Sequence, residues 1–333
     1  MKIKFICFLT AMFLLLSGCD APVHYSEITP KVIREFKLDN VPKTINDQSS
    51  DTIFLYENGN AEHFWYNDGE VSLETVATDV FQIGVEDNCF AILDKNNYFY
   101  FIGAEELAHK KIFADAVNER ANVCKISQIS SAHNFTAVLF DDGVVYSDIA
   151  FQHNTVRQDP DDFAVFDDYT IKQIFVSGFE MVAIDVSGDT YYGYWPLDKR
   201  NYYKQLGFEE GENCIFATPT GLWWCVLSNA GSVYEFSEFP SPEFVVNKRK
   251  KYDFKGITKI TSYGEGIFAY NGSELYYSGD AIGMKSNPRH LCYETFDGCI
   301  YESNDIVHFW RDTGGIYIML NDGTCKIVWW EDK

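Results

Sequence analysis

A strand–turn–strand unit repeats seven times along this chain, and the repeat constrains the fold more than any other feature. Each unit has an apolar run, a tight turn centred on Gly or Asn, and an aromatic run. The turn centres, 38 to 51 residues apart, are Gly59, Asn97, Gly143, Gly188, Gly231, Gly272 and Gly323. Turns of this kind between apolar runs are strong hairpin signals. One small sheet cannot bury both of its faces, so the units are expected to stack against one another.

The third and fourth units show the repeat most clearly. Ile126 and Ile129 lead to an apolar run at 136–140, and Ile171 and Ile174 begin the same pattern in the fourth unit. A residue three positions past the turn centre is Tyr100, Tyr146, Tyr191 or Tyr234 in four units and Leu275 in the sixth. No long stretch has helical periodicity. The sequence therefore predicts an all-β fold, a seven-bladed β-propeller in which stacking around a closed ring leaves no exposed sheet edge.

The repeat resembles that of the regulator of chromosome condensation family. Family units combine a valine-rich strand, Gly-x-x-His, an apolar strand, Asp-Gly and an aromatic strand. His133 matches the family's histidine, Gly178 its glycine, and Gln205-Leu206-Gly207 part of its closing Gly-Gln-Leu-Gly. The resemblance covers about residues 50–330 and is weakest in the first and last units. It implies a seven-bladed β-propeller that serves as a protein-interaction platform.

The chain is predicted to have three parts. Residues 1–18 form a signal peptide, 19–30 a polar tether and 31–333 a single propeller domain. The last repeat ends close to the C-terminus, which leaves its sheet without a further strand from that end. We therefore expect residues from about Lys31 to Ile45 to supply a strand that completes the final blade.

The N-terminus resembles the signal of a bacterial lipoprotein. Lys2 and Lys4 precede an apolar stretch at 5–16, which is too short to span a bilayer but suits a signal peptide. The stretch ends in Leu16-Ser17-Gly18-Cys19, which looks like a lipobox. The resemblance implies cleavage before Cys19 and attachment of diacylglycerol and a further acyl chain, such as palmitate, to this residue. Several acyl chains would give stable membrane attachment on the periplasmic side. Asp20 favours the inner membrane where the enterobacterial sorting rule holds.

The chain is strongly acidic. Its net charge of −22 becomes about −24 once the two lysines of residues 1–18 are removed. Nucleic-acid binding requires Lys and Arg to neutralise phosphates, so nucleic acid is excluded as a partner. The same charge repels anionic lipid, so acyl chains are the expected contact with the membrane.

Cysteine spacing suggests one disulfide and no metal centre. Cys292 and Cys299 flank six residues that we interpret as a hairpin turn, where facing positions lie within disulfide reach. A periplasmic location permits the bond, but the alternative of two free thiols stays open. Cys89 and Cys225 lie in apolar runs and are interpreted as small core residues. The Cys and His spacings match no zinc site, and no metal or cofactor is predicted.

Catalytic motifs are not found. The chain lacks G-x-S-x-G, H-E-x-x-H and a glycine-rich phosphate loop. Asp159, Asp161 and Asp162 form a weak candidate for a cation site, against the simpler interpretation of a solvated acidic loop.

Two further features are candidates for a binding interface. The basic run Lys248, Arg249, Lys250 and Lys251 lies between repeats and suits an acidic partner or lipid headgroups, unless it is a solvated loop. Trp224 and Trp330 each belong to a Trp-Trp pair, in which one residue is expected in the core and the other is available as an interface anchor.

These features favour a lipid-anchored periplasmic platform without enzymatic activity. Its partner would be an unidentified protein, and the loops at one end of the ring would bind it. An immunity or inhibitor protein, or a subunit of an envelope complex, is a concrete version. The alternative is a hydrolase of cell-envelope glycans with carboxylates at the central channel.

Overall fold

The fold was analysed in a computed structural model of the full chain. The structure describes residues 29–47, 51–67, 69–87, 89–103, 107–133, 135–148, 163–166, 168–178, 180–194, 204–220, 223–237, 247–263, 266–280, 295–312 and 315–331. All statements below concern these residues.

The strands form seven antiparallel sheets, which we number as blades 1 to 7. The first strand, β1 (Thr29–Lys37), belongs to blade 7. Blade 1 contains β2 (Thr44–Asn46), β3 (Thr52–Leu55), β4 (Ala61–Asn67) and β5 (Glu70–Ala77). Blade 2 contains β6 (Val80–Val85), β7 (Phe90–Asp94) and β8 (Phe99–Ile102). Blade 3 contains β9 (Ile126–Ala132), β10 (Phe135–Phe140), β11 (Val145–Ser147) and β12 (Ala164–Val165).

The remaining blades follow the same order. Blade 4 contains β13 (Ile171–Ser177), β14 (Glu180–Asp185), β15 (Thr190–Tyr194) and β16 (Lys204–Gln205). Blade 5 contains β17 (Cys214–Thr220), β18 (Trp223–Ser228), β19 (Val233–Ser237) and β20 (Asn247–Lys251). Blade 6 contains β21 (Lys259–Tyr263), β22 (Gly266–Tyr270), β23 (Glu274–Asp280) and β24 (Thr295–Glu302). Blade 7 adds β25 (Ile306–Asp312), β26 (Gly315–Leu320) and β27 (Thr324–Glu331) to β1.

The first strands of the blades form a closed inner circle. The inner strands, in order around the circle, are β2, β6, β9, β13, β17, β21 and β25. Each contacts the next, and β25 contacts β2. The prediction of an all-β, seven-bladed propeller is therefore confirmed.

The N-terminal strand closes the ring, as the sequence predicts. β1 pairs antiparallel with β27, placing Lys37 opposite Thr324 and Phe36 opposite Cys325. The Leu38 N–H continues the contact by donating to the Gly323 carbonyl at 3.0 Å. Because the two ends of the chain share one sheet, the ring cannot open without breaking this strand pair.

The predicted turn centres are confirmed as tight turns in the left-handed conformation. All seven have positive φ, from 67° at Asn97 to 100° at Gly272. The carbonyl of Gly143 accepts a hydrogen bond from the N–H of Ile171, the first residue of the next inner strand, at 3.0 Å. A Cβ at Gly143 would lie 3.0 Å from that same nitrogen. Glycine therefore permits both the turn and the close contact between blades.

Aromatic side chains fill the space between blades. Between blades 7 and 1, Phe54 meets Phe64 at 4.9 Å and Trp310 at 5.5 Å between ring centroids, and Trp310 stacks on Tyr317 at 5.0 Å. All four side chains are buried. Large rings of this type supply much of the buried apolar area and pack in offset or edge-on geometry.

Polar side chains at one repeated position also connect the blades. Gln128, in inner strand β9, accepts from the Ile174 N–H at 2.9 Å and donates to the Ile174 carbonyl at 2.6 Å. Gln82, at the same position of β6, contacts Ser127 O and Ile129 N of blade 3 at 2.8 Å each. These amides satisfy backbone groups on the inner edge of the next blade, which otherwise lack a sheet partner.

A helix takes the outer position of blade 2, where the sequence predicted only strands. This helix, α1 (Ala108–Ala121), packs against β8. Asn118 replaces a fourth strand, because its side chain accepts from the Phe99 N–H at 2.9 Å and donates to the Phe99 carbonyl at 2.7 Å. No long stretch of the sequence has helical periodicity, and α1 is consistent with this because the helix buries only a narrow stripe and has no strong amphipathic pattern. Within the described residues, no helix has the length and apolar character needed to cross a membrane.

Candidate functional site

The two ends of the ring differ, and we name them by their connections. The turn face carries the seven tight turns between second and third strands. The loop face carries the connections from first to second strands and from third to fourth strands. Four of the latter are long: β11 to β12, β15 to β16, β19 to β20 and β23 to β24. The strand ends that these four connections join therefore all lie at one end of the ring, and binding residues are commonly found on the loops of such scaffolds.

A network of buried charged groups lies between blades 2 and 3, on the loop-face side. Lys110 of α1 places its Nζ 2.6 Å from both carboxylate oxygens of Glu86 and 2.5 Å from Asp148 Oδ2. Glu86 directly follows inner strand β6, and Asp148 directly follows β11. The three side chains are only 2–3% exposed. One cation is thus held between two carboxyl groups away from water.

Neighbouring groups complete the network. Thr136 Oγ1 donates to Glu86 Oε1 at 2.5 Å, and the Thr136 N–H donates to Asp148 Oδ1 at 2.8 Å. The Cys89 thiol lies 3.4 Å from Glu86 Oε2. The Lys110 ammonium also lies 4.8 Å from the centroid of the Phe101 ring. These contacts attach α1 to two blades at once.

Burial controls the ionisation of this network. It raises the pKa of Glu86 to about 7; the negative charge of Asp148 adds to the effect and Lys110 opposes it. Burial also raises the pKa of Asp148. Burial opposes the charge on Lys110, but the two carboxylates outweigh it and raise the lysine's pKa. Since one cation faces two carboxyl groups, a proton shared by the carboxyls is favoured at neutral pH.

The network connects α1 to blades 2 and 3, and its buried groups lie out of reach of a substrate. A general acid or base must come within hydrogen-bonding reach of a substrate, and these groups are sealed by each other and by the helix. Sequence reasoning missed the network because Lys110 is 24 residues from Glu86 and 38 from Asp148. The sequence contains one usable signal. Lys110 precedes Phe113 by three residues, so on a helix it lies on the same buried face as Phe113 and Val117.

His133 and Gly178, which carry the family resemblance, lie at equivalent loop-face turns of blades 3 and 4. Both have left-handed backbones, with φ of 49° and 48°. His133 Nδ1 lies 3.2 Å from Asp87 Oδ1, on a solvent-exposed surface. The two residues therefore shape neighbouring turns and form no catalytic pair with each other.

Several predicted site residues lie outside the described part of the chain. These are the lipidation residue Cys19, the disulfide candidate Cys292 and the cation candidates Asp159, Asp161 and Asp162. Lipidation, the disulfide and cation binding therefore stay predictions.

The basic run forms a strand rather than the loop that the sequence suggested. Lys248, Arg249, Lys250 and Lys251 lie in β20, the outer edge of blade 5, paired with β19. Lys251 contacts Glu209 Oε2 at 2.8 Å and Glu212 Oε1 at 3.7 Å. Lysine-rich edge strands discourage pairing with other sheets, which accounts for a basic run at this position without a ligand. Its role as an interface stays a prediction.

The choice of Trp224 as an exposed anchor was wrong. Trp224 is 2% exposed, and its indole N–H donates to Glu180 Oε2 at 2.6 Å. Its neighbour Trp223 is half-buried. The alternation of the pair was predicted correctly, but the sequence alone gave no means of choosing the inward member. Trp330 lies in β27, opposite Pro30, and its interface role stays a prediction.

The prediction of a hairpin turn between Cys292 and Cys299 is also wrong for the residues of this segment that the structure describes. Residues Thr295–Glu302 form strand β24, with Gly298 opposite Tyr277 and Cys299 opposite Tyr276 of β23. Residues 295–298 of the segment interpreted as a turn are therefore extended and paired with another strand. This removes the argument that the two cysteines face each other across a turn.

One group of side chains near this strand has metal-ligand chemistry. The ligand atoms of Glu274, Cys299 and Glu302 all lie within 4.8 Å of one another. Burial raises the pKa of Cys299, which disfavours the thiolate that binds metals. Glu274 already accepts hydrogen bonds from Tyr276 at 2.6 Å and Asn271 at 3.0 Å. We therefore assign no metal to this group.

Comparisons with known proteins identify the fold. No protein-family model matches the chain, and no curated protein matches it in sequence. Human WBSCR16 is similar in structure, with a TM-score of 0.58 and 14% identity, covering 82% of this chain and 86% of that one. The WD40 β-propeller domain of Doa1 has a TM-score of 0.54 and 8% identity, covering 90% and 96%. A chain of the mitotic checkpoint complex has a TM-score of 0.54 and 9% identity, covering 95% and 98%.

A relative of the predicted family is also among the matches. Prp20p from Saccharomyces cerevisiae, a yeast RCC1 protein, matches with a TM-score of 0.47 and 12% identity, covering 85% of this chain and 70% of that one. At this level the match adds nothing to the family assignment. The chain is a β-propeller, and its place within the regulator of chromosome condensation family stays a prediction.

Proposed function

We propose that this protein is a lipid-anchored, non-enzymatic platform that holds a protein partner at the periplasmic side of a bacterial membrane. The observation that carries the proposal is the closed ring of seven blades, in which the strand ends joined by the four long connections all lie on the loop face. The paired strands of a closed ring are ordered before binding, so the ring itself adds little ordering cost when a partner binds. The solved structures with this fold include a chain of the mitotic checkpoint complex, which supports a role in assembly.

The path of the chain gives this platform an orientation. β1 enters the ring at Thr29, opposite Glu331 at the loop-face end of β27. The tether from Cys19 to Thr29 spans at most about 35 Å when fully extended. Acyl chains on Cys19 would therefore hold the loop face nearer to the membrane than the turn face. The partner best suited to this arrangement is membrane-associated, as in an envelope complex, and the acidity of the chain favours a basic surface on it.

The alternative of a glycan hydrolase lacks a supporting observation among the described residues. Glycosidases place two carboxylates on either side of an accessible sugar. Glu86 and Asp148 share one lysine, but both are buried.

Replacing Cys19 tests the anchor directly. Cells producing the full chain are grown with a clickable palmitate analogue. We expect label and membrane fractionation for the natural protein and neither for Cys19→Ala. Cys7→Ala changes a cysteine of the signal peptide and serves as the matched control, which should keep the label. Label that persists in Cys19→Ala would rule out the proposed anchor.

Site-specific photo-cross-linking tests the platform. A photoreactive residue is placed at Asp87 or His133 on the loop face, and at Asn96 or Asp142 on the turn face. We expect one envelope protein to be captured from the loop-face positions and not from the turn-face positions. Equal capture from both faces would contradict the assignment of the loop face. No capture, together with cleavage of peptidoglycan fragments, would favour the hydrolase.

A further inference from the structure

A second surface lies at the opposite end of the ring, where the central channel opens on the turn face. The inner strands begin there, as the hydrogen bonds from their first residues to the tight turns show; Val80 N–H donates to Gly59 O at 2.9 Å, for example. At the start of each inner strand, a buried residue is followed by a residue that is exposed in six of the blades and half-buried in blade 7. These seven residues, which we call the mouth ring, are Lys43, Phe81, Ser127, Lys172, Ile215, Thr258 and Val307.

The mouth ring contains no carboxylate, although the chain has 49 Asp and Glu residues against 27 Lys and Arg. It combines two lysines, three apolar side chains and two hydroxyls. The residue that follows in each inner strand is also never acidic: these residues are Thr44, Gln82, Gln128, Gln173, Phe216, Lys259 and His308. None of these fourteen positions is therefore acidic, although the protein is strongly acidic as a whole.

The two lysines of the mouth ring are available to a ligand. No ion pair of Lys43 or Lys172 is found among the described residues, whereas Lys37, Lys111, Lys251 and Lys326 all have one. Lys43 places its ammonium 5.4 Å from the centroid of the Phe81 ring in the next blade. Lys172 lies close enough to blade 5 to act electrostatically on the Cys214 thiol. Lys43 belongs to blade 1 and Lys172 to blade 4 of the seven, so the two lysines lie on different sides of the channel.

Apolar groups in the mouth remain open to solvent. Phe81 is 41% exposed, Ile215 45% and Phe216 36%. A ligand that carries only anionic groups would leave these apolar surfaces exposed to water. A segment with both carboxylates and apolar side chains would bury them and pair the lysines, and burial of apolar area is the larger source of binding free energy.

We propose that the mouth ring binds an extended acidic peptide segment that also carries apolar side chains. Lys43 and Lys172 would pair with its carboxylates, and Phe81 and Ile215 would contact its apolar side chains. The net negative charge of the chain adds selectivity, since an acidic ligand gains from the mouth only where its carboxylates reach the two lysines. This inference does not depend on the lipid anchor or on the loop face.

Fluorescence anisotropy with defined probes tests this inference on the full-length protein in detergent. The probes are fluorescein-labelled eight-residue peptides of alternating Glu and Leu, Lys and Leu, or Glu and Ser. We expect the Glu-Leu peptide to bind most tightly, with an affinity that falls as salt rises. Lys43→Glu/Lys172→Glu should weaken its binding by about tenfold or more, since each exposed ion pair contributes up to about 1 kcal/mol, or roughly fivefold. Phe81→Ser should weaken Glu-Leu but not Glu-Ser binding.

Lys37→Glu/Lys111→Glu is the matched control. It makes the same change in net charge at two exposed lysines outside the mouth, and it should leave binding nearly unchanged. Circular dichroism verifies that each variant is folded, and the milder Lys43→Gln/Lys172→Gln should give a smaller loss in the same direction. Equal affinity for the Glu-Leu and Lys-Leu peptides, an equal loss in the control, or no binding of the Glu-Leu peptide would overturn the proposal.

Discussion

Lys110 Nζ lies 2.6 Å from both carboxylate oxygens of Glu86, although the lysine belongs to an outer helix and the glutamate follows an inner strand. Asp148 of blade 3 joins the contact at 2.5 Å. A helix that replaces an edge strand has few backbone hydrogen bonds to its sheet. The buried ion network, together with the Asn118 side chain, supplies the missing connection.

Replacing Glu86 should change how stability depends on pH. Burial raises its pKa from 4.5 to about 7, so the folded state binds a proton more tightly than the unfolded state. Its contribution is full below about pH 4.5 and is lost as the pH rises to about 7. We expect Glu86→Gln to reduce the loss of unfolding free energy between pH 5 and pH 8 by on the order of 2 kcal/mol. Urea denaturation at the two pH values measures this difference.

Glu35→Gln is the control for this experiment, because Glu35 is exposed and its one ion-pair partner among the described residues is Lys326, at 2.8 Å. It removes the same charge and should leave the pH dependence as in the natural protein. Identical pH slopes for the natural protein and Glu86→Gln would contradict the assigned ionisation.

Removing the cation of the network should be costly. Lys110→Met leaves Glu86 and Asp148 buried without compensation, and breaking a buried ion pair costs about 3–5 kcal/mol. The loss should be smaller at pH 5, because burial raises the pKa of both carboxyls and so favours their neutral forms as the pH falls. Adding Glu86→Gln to Lys110→Met should recover part of the loss. Thermal unfolding of the single and double variants measures this; strictly additive losses would show that the groups do not act as one network.

The inter-blade amide contacts should be visible as local protection. Gln128→Leu removes the partner of both backbone groups of Ile174 and is expected to cost about 2 kcal/mol. Hydrogen exchange should show faster exchange of the Ile174 N–H. Gln173→Leu is the matched control at the same position of the next blade, since no hydrogen bond of its side chain is found among the described residues. Unchanged exchange at Ile174 in Gln128→Leu would contradict the role of this contact.

The sequence was sufficient for the repeating parts of the fold. Each of the seven turn centres, from Gly59 to Gly323, requires a left-handed backbone conformation. A Gly or Asn at that position therefore identifies the turn in the sequence. The count of seven units and the missing final strand then predict closure by β1. These features are local or follow from the repeat, and for that reason one chain is enough to find them.

The parts that the sequence did not predict depend on contacts distant along the chain. Helix α1 is fixed by Lys110 and Asn118, whose partners lie in other elements. The burial of Trp224 depends on Glu180 in the neighbouring blade. The segment before Cys299 pairs with β23 rather than with its own neighbour. Local sequence patterns do not predict contacts between residues that are distant along the chain.

Ring closure by the N-terminal strand is the claim on which every surface in this account depends, and an engineered disulfide measures it most directly. Lys37 faces Thr324 across β1 and β27, within the Cα separation that a disulfide requires. With Cys325 replaced by Ala, Lys37→Cys/Thr324→Cys should form an intramolecular bond in the folded protein, identified by mass spectrometry of its peptides. The pair Lys31→Cys/Thr324→Cys should not, because Lys31 faces Trp329. Failure of the first pair to bond, or bonding only between molecules, would contradict the closed ring.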